Sequence, residues 1–199
     1  MAMLVCNMRM KASLSEKRRI HRLRGFSLPE LLVVLGILAI IAAVAMPYLL
    51  AAARNSDFDA AVRQVAIDAR FARSLAVARG GLYRLHAGLD PALGNPALNN
   101  SYRVEHRDPA VGWPAPTAQM GSSADVLSNW QDLSTLYGGV TVQGVVDGTL
   151  AAIDGAIFNS TGASVDTSNA LRSVSVTLQK PDGTTRVIQI DPAGNVRMP

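Results

Sequence analysis

Residues able to do acid–base or metal chemistry are few and scattered in this chain. Its three histidines are His21, His86 and His106, and its one cysteine is Cys6. No Cys/His cluster has the spacing of a metal site, and no Gly-x-Ser-x-Gly stretch offers a nucleophile on a strained turn. His106-Arg107-Asp108 imitates a kinase catalytic triplet, but no Gly-rich phosphate loop or strand lysine accompanies it. His86 and His106 therefore read as ordinary strand residues. Trp113 and Trp130, in or near an irregular stretch, read as packing or loop anchors. The sequence points to no enzyme, no cofactor and no metal ligand set. Its one chemically costly residue is Glu30, a carboxylate at the head of a long apolar run.

That run, residues 31–53, holds 23 residues without a charge. As a helix it rises about 34 Å, against roughly 30 Å of bilayer hydrocarbon. The helical pattern continues beyond it. Phe58, Val62, Val65, Ala69, Ala72 and Ala76 recur at steps of three and four, with Arg63, Asp68, Arg70 and Arg73 off the stripe. Gly80-Gly81 supplies the stop, and Pro47 is expected to kink or locally unwind the helix. After Gly81 the texture is β-prone. Strands are expected at 82–87, 101–106, 139–146, 156–160, 172–179 and 185–191, the last two flanking a Lys180-Pro181-Asp182-Gly183 turn. Residues 88–100 and 107–123, rich in Pro and Gly, read as loops. The fold class expected is α+β: one long helix whose amphipathic half packs on a mostly antiparallel sheet. The organisation expected is a basic leader (1–25), a transmembrane helix (26–53), its amphipathic continuation (54–80) and a β-rich head (81–199).

The net charge of +4 invites a nucleic-acid reading, but its placement argues otherwise. Arg9, Lys11, Lys17, Arg18, Arg19, Arg22 and Arg24 precede Phe26, against the single acid Glu16. From Phe26 onward 12 basic residues face 14 acidic ones, a balance of −2. The basic flank fits a cytoplasmic N-terminus under the positive-inside rule. With one cysteine the chain cannot close an internal disulfide, so the head must rely on its core.

The stretch Arg24-Gly25-Phe26-Ser27-Leu28-Pro29-Glu30-Leu31-Leu32-Val33-Val34 resembles the class III signal of type IV prepilins and type II secretion pseudopilins. A basic leader ends in Gly, then come Phe, a Glu as fifth residue of the mature chain, and an unbroken apolar helix. The resemblance implies cleavage between Gly25 and Phe26 by a membrane aspartic peptidase, which also methylates the Phe26 amine. It implies that Glu30 pairs with the N-terminal amine of a neighbouring subunit during filament assembly. A paired carboxylate is the tolerable kind in low dielectric. Two other readings compete. Ser27-x-x-Glu30 is a capping box with Phe26 and Leu31 as a hydrophobic staple, which would explain Glu30 alone. Ala43-Val44-Ala45 offers ordinary signal peptidase a site that would free a soluble β domain from Met46.

Three head segments, 139–142, 157–162 and 194–197, are similar to the family joining H-type pseudopilins (GspH) with FimT- and FimU-like minor pilins. The expectation is a minor pseudopilin of a type II secretion system. Its partners would be other (pseudo)pilins, the prepilin peptidase/methyltransferase and an inner-membrane assembly platform. The alternative is a minor pilin of a type IV pilus, with DNA uptake as a sub-case. DNA-contacting members carry Gly-Arg-x-Arg, where this chain has Gly194-Asn195-Val196-Arg197. Lys180, Arg186 and Arg197 are the residues left to form a basic patch; solvated strand ends are the competing account. The resemblance implies a single-pass inner-membrane protein with a periplasmic head, extruded on assembly. No acidic cluster suggests the calcium site of major pseudopilins.

Overall fold

The computed structural model describes residues 26–88, 100–121 and 124–198. The element order begins with one long helix, α1 (Leu28–Arg79), and continues as β1 (Tyr83–Ala87), β2 (Ser101–His106), β3 (Gln131–Asp132), a single turn α2 (Leu133–Leu136), β4 (Thr141–Asp147), β5 (Gly155–Phe158), β6 (Ser164–Val165), β7 (Val174–Gln179), β8 (Thr185–Ile190) and β9 (Val196–Arg197). The fold is α+β. The chain forms two units, Met1–Ala45 and Met46–Pro199, and α1 contributes to both.

In the first unit every described residue, 26–45, is exposed. The helix there is apolar on all sides, a composition stable as an exposed surface only in a non-aqueous surrounding. It is the one stretch among the described residues long and apolar enough to cross a membrane. α1 remains helical through Pro47, so the local unwinding given as one alternative there is not seen. The fixed φ of proline is compatible with a helix, and its cost is local: one missing N–H bond and crowding of the preceding turn.

In the second unit the stripe from Phe58 to Ala76 is buried as the spacing predicts, with Ala61 and Ala66 added. Five of these positions are alanines, and Phe58, Val62 and Val65 supply the bulk of the stripe. Two antiparallel sheets cover it, in the orders β3-β2-β1-β5-β6 and β4-β7-β8-β9. Tyr83, Leu85, Tyr102, Val104, Val145, Phe158, Leu178 and Ile188 complete the core. Arg73 ties the helix to the strand connections, its Nε donating to the Gly162 carbonyl at 3.0 Å and its Nη2 to Ala193 at 3.1 Å. Gly80, at φ +72, ends α1 in the left-handed conformation.

One turn recurs five times, at 147–151, 159–163, 166–170, 180–184 and 191–195. In each the first N–H donates to the fifth carbonyl and the fourth N–H to the first carbonyl. The fourth residue is left-handed: Leu150, Gly162, Asn169, Gly183 and Gly194. This is the three-residue hairpin loop with an αL bulge residue. In the first three the leading Asp147, Asn159 or Asp166 accepts from two later N–H groups of its own loop. The expected Lys180–Gly183 turn is one of the set. All six expected strands form within two residues of their expected limits. β3, β6, β9 and α2 escaped, because two- and four-residue elements have no periodicity to read.

Candidate functional site

The candidate assembly site begins at Phe26, which is 75 % exposed. Gly25 and the rest of the leader lie outside the described residues. Glu30 occupies the first turn of α1, exposed, where its charge complements the helix N-terminus. The Leu31 N–H donates to the Ser27 carbonyl at 3.1 Å. The reciprocal side-chain bonds of a capping box are not among those made by the described residues. Glu30 has no hydrogen bond or ion pair among them either. An acid between exposed Leu28 and Leu31 is thus present without a partner among the described residues.

Of the three residues expected as a basic patch, Lys180 and Arg186 meet over the Phe58 ring, and Arg197 lies on the other face of its sheet. Lys180 Nζ donates to Asn55 Oδ1 at 2.7 Å, pairs with Asp182 at 3.2 Å and lies 5.5 Å from the Phe58 ring centre. Arg186 pairs with Asp59 at 2.8 Å and lies over the same ring. Both therefore pack against α1. Arg197 is registered with Gln189, on the face of the sheet opposite to buried Ile188 and Ile190, and its partner is Asp191 at 3.7 Å. All three cations have carboxylate partners, and two of them serve the helix–sheet contact.

A second charged constellation was not anticipated. The β1–β2 register sets Arg84 opposite Glu105 and His86 opposite Arg103, on the sheet face turned away from α1. All four are buried, and Arg103 and Glu105 have no exposed surface. Arg84 Nε donates to Glu105 Oε2 at 2.6 Å, His86 Nδ1 lies 3.1 Å from Oε1, and Arg103 is ion-paired with Oε1 as well. Burial alone would push the Glu105 carboxyl up. The His86 hydrogen bond and the Arg84, His86 and Arg103 charges outweigh it and hold the group down to about 2. Arg103 also donates to the carbonyls of Ala115 at 2.9 Å and Ala118 at 2.6 Å. Trp130 covers its guanidinium at 4.5 Å and donates Nε1–H to Pro116 O at 3.0 Å, while Trp113 covers Arg84 at 4.3 Å. The two tryptophans do anchor the loop, and what they anchor it to is charge. The 107–121 stretch, read as an exposed loop, has an inner side sewn to the sheet. His106 stands apart, with Nδ1 2.8 Å from Asp125 Oδ1.

Compared with known proteins, residues 20–46 match the prokaryotic N-terminal methylation motif. The chain carries that motif. It spans Gly25, Phe26, Glu30 and the start of the apolar helix. The motif accounts for the combination that the cap alone leaves unexplained: basic flank, glycine, phenylalanine and acid in fixed order. Two solved structures are similar in part. The type IV minor pilin FimU of Pseudomonas aeruginosa aligns over 73 % of this chain and 90 % of its own, at 17 % identity and a TM-score of 0.42. The minor pseudopilin EpsH of the Vibrio cholerae type 2 secretion system aligns over 74 % and 95 %, at 13 % identity and a TM-score of 0.40. No curated protein sequence matches the chain.

Proposed function

We propose that this chain is a minor pilin-like subunit, cut between Gly25 and Phe26, methylated on the new Phe26 amine, and assembled through its apolar helix into a filament. The observation that carries the reading is Glu30: an acid inside the methylation motif with no partner among the described residues, the fifth residue of the proposed mature chain and close to exposed leucines. In a bilayer such a carboxylate needs a cationic partner, and the N-terminal ammonium of a second copy or sister subunit has the right charge. The role is assembly rather than catalysis. The partners are other filament subunits, a prepilin peptidase/methyltransferase and an inner-membrane platform. Between machines we favour the H-type pseudopilin role in type II secretion over a FimT/FimU-like role in a type IV pilus. The pairing of Lys180, Arg186 and Arg197 with carboxylates weighs against the DNA-uptake sub-case.

The test is intact mass and N-terminal peptide mapping of the protein matured in its native membrane. A chain beginning at N-methylated Phe26 is expected. A chain beginning at Met46, or one that stays uncut, would sink the reading and leave Glu30 a residue of the helix start.

A further inference from the structure

Within the second unit the sheet β4-β7-β8-β9 has a fixed direction along α1. Lys180, where the β7–β8 hairpin turns, donates to Asn55, and Arg186 pairs with Asp59. The turn at the other end of β8, 191–195, meets Arg73 through the Ala193 carbonyl and Asn195. The hairpin therefore runs beside the helix with its 180–184 tip toward Asn55. β4 pairs with β7 from Thr141 opposite Gln179, which brings the 137–139 turn to the same end. There Pro181 packs on Gly139, and the Asp57 carboxylate packs on Gly138.

The last residues of the apolar run, 46–53, belong to this unit, and Asn55 follows almost at once. Asn55 and Asp57 lie about 3 and 6 Å beyond Ala53 along the helix. The headgroup layer on each side of the hydrocarbon is roughly 5–8 Å thick. With the run in the hydrocarbon, both turns are thus held at headgroup depth, with no linker to lift them clear. The groups at this end suit such a layer. Pro181 and Leu136 are exposed. Arg54 and Asp57, one turn apart on α1, are exposed and make no ion pair among the described residues. Arg54, Lys180 and Arg186 are balanced by Asp57, Asp59 and Asp182. An excess of cations would select anionic lipid. A balanced end with one free charge of each sign selects a headgroup that carries both a phosphate and an ammonium.

We propose that the 137–139 and 180–184 turns are a membrane-surface contact that seats the head in a zwitterionic phospholipid headgroup layer. Arg54 takes the phosphate and Asp57 the ammonium, while Pro181, with Leu136 beside the other turn, supplies the apolar contact. This contact presupposes that the apolar run spans a bilayer. It does not depend on cleavage at Gly25.

The experiment places the full chain, isotope-labelled at glycine, in phosphatidylcholine nanodiscs and follows its amide signals as lipid bearing a headgroup gadolinium chelate is added. Asn55 and Arg73 are about 27 Å apart along the helix, and paramagnetic broadening falls steeply with distance. The Gly138 and Gly183 signals are expected to be lost, while those of Gly162 and Gly194, beside Arg73, persist. Phosphatidylglycerol discs should give the same pattern. Arg54→Glu leaves two free acids at this end, and in those anionic discs it should partly restore Gly138 and Gly183. Lipid with a nitroxide on its acyl chain supplies the control through Gly36 of the apolar run. Gly36 broadened while Gly138 and Gly183 stay sharp would overturn the contact alone. Gly36 left sharp would remove the membrane reading and the contact with it. Equal broadening at Gly183 and Gly194, or markedly stronger broadening at Gly183 on anionic discs, would also overturn it. So would tip signals that follow protein concentration rather than lipid, since the occupant would then be a second copy.

Discussion

Two regions of this molecule invert the ordinary rule that apolar groups go inside and charges outside, and they do so for opposite reasons. In the first half of α1, leucine, isoleucine and valine side chains between Leu31 and Ile41 are roughly half exposed or more. Beneath the 107–121 loop, by contrast, two arginines and a glutamate are buried. The apolar surface would be tolerable in a hydrocarbon solvent, where exposure costs nothing and charge is the expensive substitution. The buried charges are tolerable because each has partners fixed by the β1–β2 register and by loop carbonyls. Exposure alone is therefore a poor guide to environment. What decides is whether each group's electrostatic requirements are met where it sits.

The largest test of that contrast is at Glu105. Glu105→Gln leaves buried Arg103 without its carboxylate and Arg84 with only Asp154, 3.9 Å away, and should destabilise the second unit by roughly 3–5 kcal/mol, read as a lower denaturant midpoint. Replacing the set together, as Arg84→Met, Arg103→Met and Glu105→Leu, should recover most of that loss, since apolar groups need no partners. Stability recovered with the 107–121 loop loosened, seen as protease sensitivity there, would show that the ions serve the loop's position. A triple variant as unstable as the single one would show that the carbonyl bonds from Arg103 matter more than charge balance.

Next in size is the converse substitution. Ile40→Arg puts a charge in the middle of the apolar run, where insertion scales assign about 2.5–3.5 kcal/mol against a spanning helix. Carbonate-resistant membrane association should fall, while the second unit keeps its circular dichroism spectrum. Unchanged association would mean that the exposed apolar surface is covered by something other than lipid.

How much of this was legible in the residues follows the same division. Glu30 and the apolar run declare themselves because a charge beside 23 uncharged residues is a local signal. The stripe Phe58–Ala76 is equally local, and all six of its expected positions are buried. The ion cluster was illegible. Alternation in Ser101–His106 announces a strand, with Tyr102 and Val104 on one face and Arg103 and Glu105 on the other, and alternation ordinarily means that the second face is wet. Here an irregular loop covers that face, and no periodicity reports where a loop folds back. The turn set was half legible: Pro181 and Gly183 marked one member, whereas Leu150 at a left-handed position contradicted the local preference.

Acid titration separates the regions next. Glu105 sits at about 2 when folded against an ordinary 4.5. A depressed carboxyl contributes stability that is complete above the ordinary value and is lost as pH falls toward the folded one. The second unit should therefore lose stability progressively from about pH 4.5 to pH 2. The Glu105→Gln variant should show a shallower slope across that window, measured by urea unfolding at each pH. Parallel slopes would assign the acid sensitivity to the exposed turn aspartates such as Asp182, which Thr184 also holds low.

The smallest effect calibrates the rest. Arg186 and Asp59 pair at 2.8 Å with Arg186 about half exposed, the geometry of an ordinary surface ion pair. Water already solvates both groups when they separate, so Arg186→Ala should cost under about 1 kcal/mol, most of it lost packing on Phe58. Raising salt should erase the coulombic share of that difference while leaving the Glu105 effect nearly intact, because screening reaches exposed pairs and not desolvated ones. If salt weakened both equally, the cluster under the loop would be wet, and the contrast between the two regions would reduce to one of composition.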